Sequence, residues 1–207
     1  IAFNFTAQNR GVTINDYVSK LRTMPATFGA PAKAGVTEIE NKVNLNVLSY
    51  TPDGALTTNV SSTLKKNIAT YLSNYRMIND YISIGSGKVI DLGIMVDLIL
   101  EDSSNQGDII TDVITIISDY FNVNKIEMGQ DLTLGSLRAA IMRADGVLNL
   151  VNLKVLNKVG GQYSQSVTSQ PYINVGDREI GLIDDTVFTQ PSEILQIRFP
   201  EKDISIR

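Results

Sequence analysis

Two stretches carry residue types that could do chemistry. The first is Gly85-Ser86-Gly87-Lys88, the kind of Gly/Lys run that cradles a phosphate. The second is the acidic group Asp97, Glu101, Asp102, Asp108 and Asp112, which could hold a divalent cation or supply an acid/base pair. Neither meets the requirements of that chemistry. A phosphate loop needs four residues between its first Gly and the Gly-Lys pair, then a Ser or Thr to reach magnesium; here the loop is too short and Val89 follows. A tight turn between strands is the expected reading. The carboxylates would have to converge, yet Asp97 and Glu101 share a strand face while Asp108 and Asp112 open a helix. At a helix start the N-terminal partial positive charge already accounts for them. Asp184-Asp185 reads as a turn, and Asn59-Val60-Ser61, although shaped like a glycosylation site, as the approach to a helix.

The rest of the inventory narrows the field further. The 207 residues contain no His, no Cys and no Trp. The commonest general base and metal ligand is therefore missing, and so are disulfides, thiolate chemistry and Cys-based zinc sites. A nucleophilic Ser would need a Lys partner in a specific motif, and none is visible. The expectation is a non-enzyme, with no catalytic residue, metal or cofactor and no small-molecule substrate. The formal net charge of −4 speaks against a nucleic-acid partner, and no apolar run reaches the roughly 18 residues that span a bilayer. Hydrophobic residues at 43% and charged residues at 19% describe a globular chain with a real core. The chain starts on Ile1, with Phe3 and Phe5 in strand-like alternation, and stops at Arg207 in mid-strand pattern. It is expected to be a piece of a longer protein.

The elements come in a clear order. Thr13–Met24 reads as a short helix capped by Thr13, with Asp16 in its first turn and Pro25 stopping it. Pro25–Gly35, rich in Pro, Gly and Ala, reads as a linker or loop and is the first candidate for a hinge. A strand over Lys42–Tyr50 follows, with Val43, Leu45 and Val47 on one face, then a Pro52-Asp53-Gly54 turn. An amphipathic helix over Val60–Tyr75 carries Leu64, Ile68, Tyr71, Leu72 and Tyr75 on its apolar stripe. Strands at Tyr81–Ile84 and Leu92–Leu100, a helix over Asp108–Phe121, a helix over Leu134–Ala144 closed by Gly146, and a strand over Val147–Leu156 complete the main body. Beyond Asn157 the texture changes to Gly160-Gly161, a Ser/Gln/Thr-rich stretch and short strand-like pieces.

Leu72-Ser73-Asn74-Tyr75 matches Ile117-Ser118-Asp119-Tyr120, with Leu64 and Ile68 corresponding to Ile109 and Val113. Two strand-helix-strand passages in succession predict an α+β fold. The expected plan is a ferredoxin-like (split βαβ) unit with helices on an antiparallel sheet, plus a smaller β-rich C-terminal subdomain. The expected divisions are residues 1–35 (an N-terminal helix and loop continuing an upstream part), 36–156 (the α+β core) and 157–207. The helix at Asp108–Phe121 is apolar on two flanks: beside Ile109, Val113, Ile116 and Tyr120 it carries Ile110, Ile114, Ile117 and Phe121. Those last four residues are the candidate interface, the alternative being that the C-terminal subdomain buries them.

The order of these motifs resembles the baseplate J-like family of contractile phage tails, most closely the C-terminal part of the large wedge proteins of T-even phages. The resemblance runs from about Arg10 to Leu156. It is carried by Asn15-Asp16-Tyr17, the Pro/Ala/Gly-rich loop, the strand to Tyr50 and the helix ending Tyr71-Leu72-Ser73-Asn74-Tyr75-Arg76. The strand Leu92–Leu100, Asp119-Tyr120-Phe121, Met128-Gly129-Gln130-Asp131-Leu132 and Gly146-Val147 follow in sequence. It implies a virion structural protein, assembled in the host cytoplasm, which pairs with itself as a homodimer or ring. It also implies that the protein joins other baseplate wedge proteins around the hub and takes part in the rearrangement on sheath contraction. A ferredoxin-like regulatory domain binding a small molecule between subunits is the alternative, on fold analogy alone.

Overall fold

The computed structural model describes residues 11, 13–39, 42–52, 54–76, 81–101 and 105–207. The expectations placed on Phe3, Phe5, Asp53 and Asp102 lie outside them. The chain divides between Lys88 and Val89 into two compact units.

In the first unit, helix α1 (Ile14–Arg22) starts where Thr13 provides a reciprocal cap: Thr13 Oγ1 accepts from the Asp16 amide, and Asp16 Oδ2 accepts from the Thr13 amide. A single 3-10 turn at Ala26–Phe28 leads to strand β1 (Lys33–Ile39), which runs antiparallel to β2 (Lys42–Tyr50). Strand β3 (Leu56–Thr57) folds back on the end of β2. Helix α2 (Ser62–Ser73), capped by Ser61 through the Leu64 amide, then carries the chain across to β4 (Tyr81–Ser86), which joins β2 in parallel. Both helices are amphipathic, and they bury one core with the sheet. Val43, Leu45 and Val47 of β2 meet Tyr17 and Leu21 of α1 and Ile68, Tyr71 and Leu72 of α2. Each such fully buried aliphatic side chain is worth roughly 1.5–3 kcal/mol.

The second unit is built on β5 (Lys88–Leu100), the longest strand. Helix α3 (Gln106–Tyr120), strand β6 (Leu132–Thr133) and helix α4 (Leu134–Ile141) lead to β7 (Val147–Lys158), antiparallel to β5. Then come β8 (Tyr172–Asn174), β9 (Glu179–Ile180), β10 (Thr186–Val187), β11 (Glu193–Gln196), the one-turn helix α5 (Pro200–Asp203) and β12 (Ile204–Ile206). The sheet order is β11-β5-β7-β9-β8, with β12 lying parallel along β5 and β6-β10 forming a separate pair. Helix α3 lies against β12 and α4 against β7.

Strand β7 is irregular in an instructive way. The covered face of β5 presents Ile94, Val96, Leu98 and Leu100, whose partners are Val155, Leu153, Leu150 and Val147. Those partners step by two, then three, then three residues. Two β-bulges absorb the difference, leaving Val151 and Leu148 as the extra residues. A regular strand would have turned the wrong side chains inward north of Leu153, so the bulges preserve the apolar face.

The α+β class holds, but several finer expectations need correction. The split βαβ plan is spread over two sheets: β2 and β4 are a parallel pair joined by α2, whereas β5 and β7 are antiparallel and joined by two helices. The matched segments around Tyr75 and Tyr120 are thus similar helix ends in different supersecondary units. Residues 36–156 do not form one core, because the division at Lys88 falls within them. The boundary expected at 157 is crossed by β7, and β11 and β12 join the same sheet as β5, so 157–207 completes a sheet rather than forming a subdomain. Pro25–Gly35 is not loop throughout: β1 begins at Lys33, the Ala32 amide donates to Leu48 O, and Asn67 Nδ2 donates to Phe28 O. Alternation was invisible there because Lys33 and Gly35 occupy buried positions of the strand.

Candidate interaction site

The four candidate interface residues separate into two pairs. In α3 the side chains of Ile109, Val113 and Ile117 are buried, Ile117 completely, and Phe121 is 3% exposed with its ring edge-on to Tyr120. Ile117 and Phe121 are therefore core of the second unit. The helix turns 100° per residue, so the positions one step after Ile109 and Val113 fall on the shoulder of the buried stripe. Ile110 and Ile114 are there, half-buried. Below the end of α3, Ile116, Tyr120, Phe121, Ile126, Leu132 and Leu195 line an open cleft of about 360 Å3. Tyr120 Oη and Ser136 Oγ, 2.6 Å apart, tie α3 to α4 beside it.

Among the described residues, those that could have done chemistry are not gathered into a site. Gly85 and Ser86 are the last residues of β4, and the Gly87 amide donates to Val47 O as the chain passes extended into β5. This corrects the expected tight turn: β4 and β5 belong to different sheets, so no hairpin joins them. Asp97 and Glu101 are placed on β5 and just after it, Asp108 and Asp112 on the exposed side of α3. Among the described residues no group of three acidic side chains could hold a metal ion. Asp184 and Asp185 form a two-residue turn, both with positive φ (51° and 56°), closed by the Ile183–Thr186 bridge. No helix among the described residues is long and apolar enough to cross a membrane.

A polar clasp, unmarked by any motif, holds residues 159–171 against β5. Asp91 is fully buried; its carboxylate accepts from the Ser164 amide at 2.6 Å and from Gln196 Nε2 at 2.7 Å. Ser164 Oγ donates to Val89 O. Asn157 Oδ1 accepts from the Thr168 amide (3.0 Å) and the Tyr172 hydroxyl (2.8 Å), while its Nδ2 donates to Asp91 O. Tyr163 donates to Asp203 at 2.6 Å, and that bond, with burial, pushes the phenol up to about 12. Burial raises the Asp91 carboxyl above its ordinary value; the Ser164 and Gln196 bonds oppose the rise. One signal could have pointed to this clasp: Asp91 and Asn157 are polar residues inside strongly apolar strand runs, where only a satisfied partner makes them tolerable.

Several large apolar side chains of the second unit are exposed, Val167 within the clasped segment among them, and three of them share one end of the sheet. Ile99 (48% exposed), Leu148 (56%) and Val151 (61%) stand at the far end of the β5–β7 pair. A second pair, Ile173 and Val175, occupies the β8–β9 hairpin tip.

A solved structure shares this fold. A chain in the structure described as "Cryo-EM structure of the anti-feeding prophage (AFP) baseplate, 6-fold symmetrised" superposes with a TM-score of 0.63 at 14% sequence identity. The match covers 95% of this chain and 39% of that one, so this chain spans well under half of its length. No family model and no curated protein matches.

Proposed function

We propose that this chain is a structural part of a contractile-tail baseplate, of the J-like wedge type. In this reading it associates with copies of itself and with other wedge proteins, joining them into a ring around the hub that rearranges when the sheath contracts. It works in the virion tail through extended contacts, without catalysis or a cofactor. The observation that carries the reading is the agreement in fold over nearly the whole chain with a baseplate chain. The scattered placement of the carboxylates and the exposed apolar side chains of the second unit are in keeping with it.

Gold-labelled antibodies against the chain, applied to intact contractile-tailed particles and to their detached baseplates, test the placement. Label at the baseplate end is expected. Particles that carry the protein at the head or along the sheath, or that assemble normally without it, refute the assignment. Light scattering of the chain over a concentration series tests self-association separately, and a monomer at every concentration removes that part of the reading.

A further inference from the structure

Resting on the self-association reading above, we propose that the open outer face of the β12-β5-β7 sheet is where a second copy of this chain docks. The face is defined by strand register. Ser205, Met95 and Lys154 lie side by side across β12, β5 and β7, and Asp97 and Ile99 follow along β5 opposite Asn152 and Asn149. The polar clasp covers the other end of this face, over Val89 and Asp91. At the open end, the residues paired on this face, Asp97 with Asn152 and Ile99 with Asn149, include only Ile99 as a large aliphatic side chain. The two bulges add Leu148 and Val151, and both are more than half exposed. Core packing alone accounts for the existence of the bulges but not for apolar residues at the extra positions; an Asn or Lys would suit a solvated edge and would blunt it against chance pairing.

Charge selects the occupant. The bonds of the Arg207 amide to Val96 O and of Arg207 O to the Leu98 amide set Arg207 directly opposite Asp97. On the diagonal from Asp97 stands Lys154, whose Nζ is 3.2 Å from Glu179 Oε2. The face thus carries two acids, Asp97 and Glu179, and two bases, Arg207 and Lys154, whereas the whole chain has a formal net charge of −4. A two-fold contact sets a surface against itself, so a face of one sign repels its own copy. A balanced face with its signs side by side lets Asp97 of one copy meet Arg207 or Lys154 of the other, around a central Ile99, Leu148 and Val151 cluster. Elsewhere the excess negative charge opposes the approach of a second copy.

The test is sedimentation equilibrium of the full chain with Leu148→Asp and Val151→Asp, alongside thermal melts. Wild type is expected to dimerise, and each variant to raise the dissociation constant about tenfold or more with its melting temperature unchanged at dilutions where both are monomeric. Asp97→Arg and Arg207→Asp should each weaken association, and an equimolar mixture of the two should recover it as a heterodimer. If wild type associates and Val151→Asp associates as tightly, the docking face is elsewhere although self-association stands. A wild-type chain that is monomeric throughout removes the self-association reading and this proposal with it. Lowered melting of the Asp variants with intact dimerisation means that the chain covers the face itself, and also overturns the proposal.

Discussion

Removing the Asp91 carboxylate is the sharpest test of how the second unit is held together. Asp91→Ala strips the acceptors from the Ser164 amide and from Gln196 Nε2, at 2.6 and 2.7 Å, in a place with no solvent access. Hydrogen bonds to a charged group are worth about 1.5–3 kcal/mol each, and a buried donor left without a partner costs about 1–3 kcal/mol. Against that stands relief from desolvating a carboxylate, the leading cause of its raised pKa. A net loss on the order of 2–4 kcal/mol is expected, smaller than the two bonds summed because of that relief. Asp91→Asn keeps the shape. Its Oδ1 can accept from Ser164, and the Gln196 amide can turn over to accept from its Nδ2, so a change within about 1 kcal/mol is expected. Because the chain has two units, bulk unfolding need not be two-state, and amide exchange of residues 160–171 is the direct readout. Exchange there should speed markedly in the Ala variant and little in the Asn variant. The pH dependence has a fixed sign. A carboxyl with a raised folded pKa binds its proton more tightly in the folded state, so its contribution is fully present below the unfolded pKa and is lost as pH rises through the folded value. Asn should therefore gain on Asp as pH rises past that point. Equal damage from Ala and Asn, or exchange unchanged by either, would refute the claim that these two bonds clasp the segment.

Four further comparisons have signs that the structure determines. Gly146→Ala sets a Cβ on a residue at φ +85°, 2.4 Å from Ile109 Cδ1, and should cost about 1–3 kcal/mol in urea unfolding. Gly181→Ala meets the Pro171 carbonyl at 2.9 Å and should be damaging, whereas Gly93→Ala clashes only with the movable end of Lys158, Asp203 O standing at ordinary contact distance, and should be tolerated; thermal melts of the pair compare them. In α3, Ile117→Ala and Phe121→Ala should each lose about 2–5 kcal/mol, while Ile110→Ala and Ile114→Ala, at half-buried positions, should each lose distinctly less. Thr13→Ala removes one half of the α1 capping box and should cost about 0.5–2 kcal/mol, measured in the first unit by exchange of the helix amides.

Periodic elements were legible from sequence because one physical cause dominated each. The stripe Leu64, Ile68, Tyr71 and Leu72 predicted α2, and the run Val43, Leu45 and Val47 predicted β2; Gly146 has the left-handed conformation expected, but it serves the turn into β7, because α4 already ends at Ile141 with Met142 as its cap. Strand β1 was missed because Lys33 and Gly35 are buried positions that carry no apolar side chain. Sheet membership was not legible at all. Whether β4 and β5 pair depends on contacts distant in sequence, and the Gly-rich step between them looks the same whether it is a hairpin or a passage between sheets. For the candidate interface, spacing revealed that α3 is apolar on two sides but not how far round the helix the core reaches. Ile117 and Phe121 fell inside, and Ile110 and Ile114 on its margin. The Asp91 clasp escaped notice because its partners, Ser164 and Gln196, are 73 and 105 residues away.

The extra residues in β7 also bear on how this strand tolerates changes in length. Deleting one residue from an ordinary two-sided strand inverts everything on one side of the cut. Here the ladder already holds surplus positions at Leu148 and Val151, so loss of either would leave Val155, Leu153, Leu150 and Val147 facing their present partners in plainer alternation. The strand is buffered against single deletions. Its outward face can thus gain or lose an aliphatic side chain by a change of one codon's length, while the packed side beneath keeps its register.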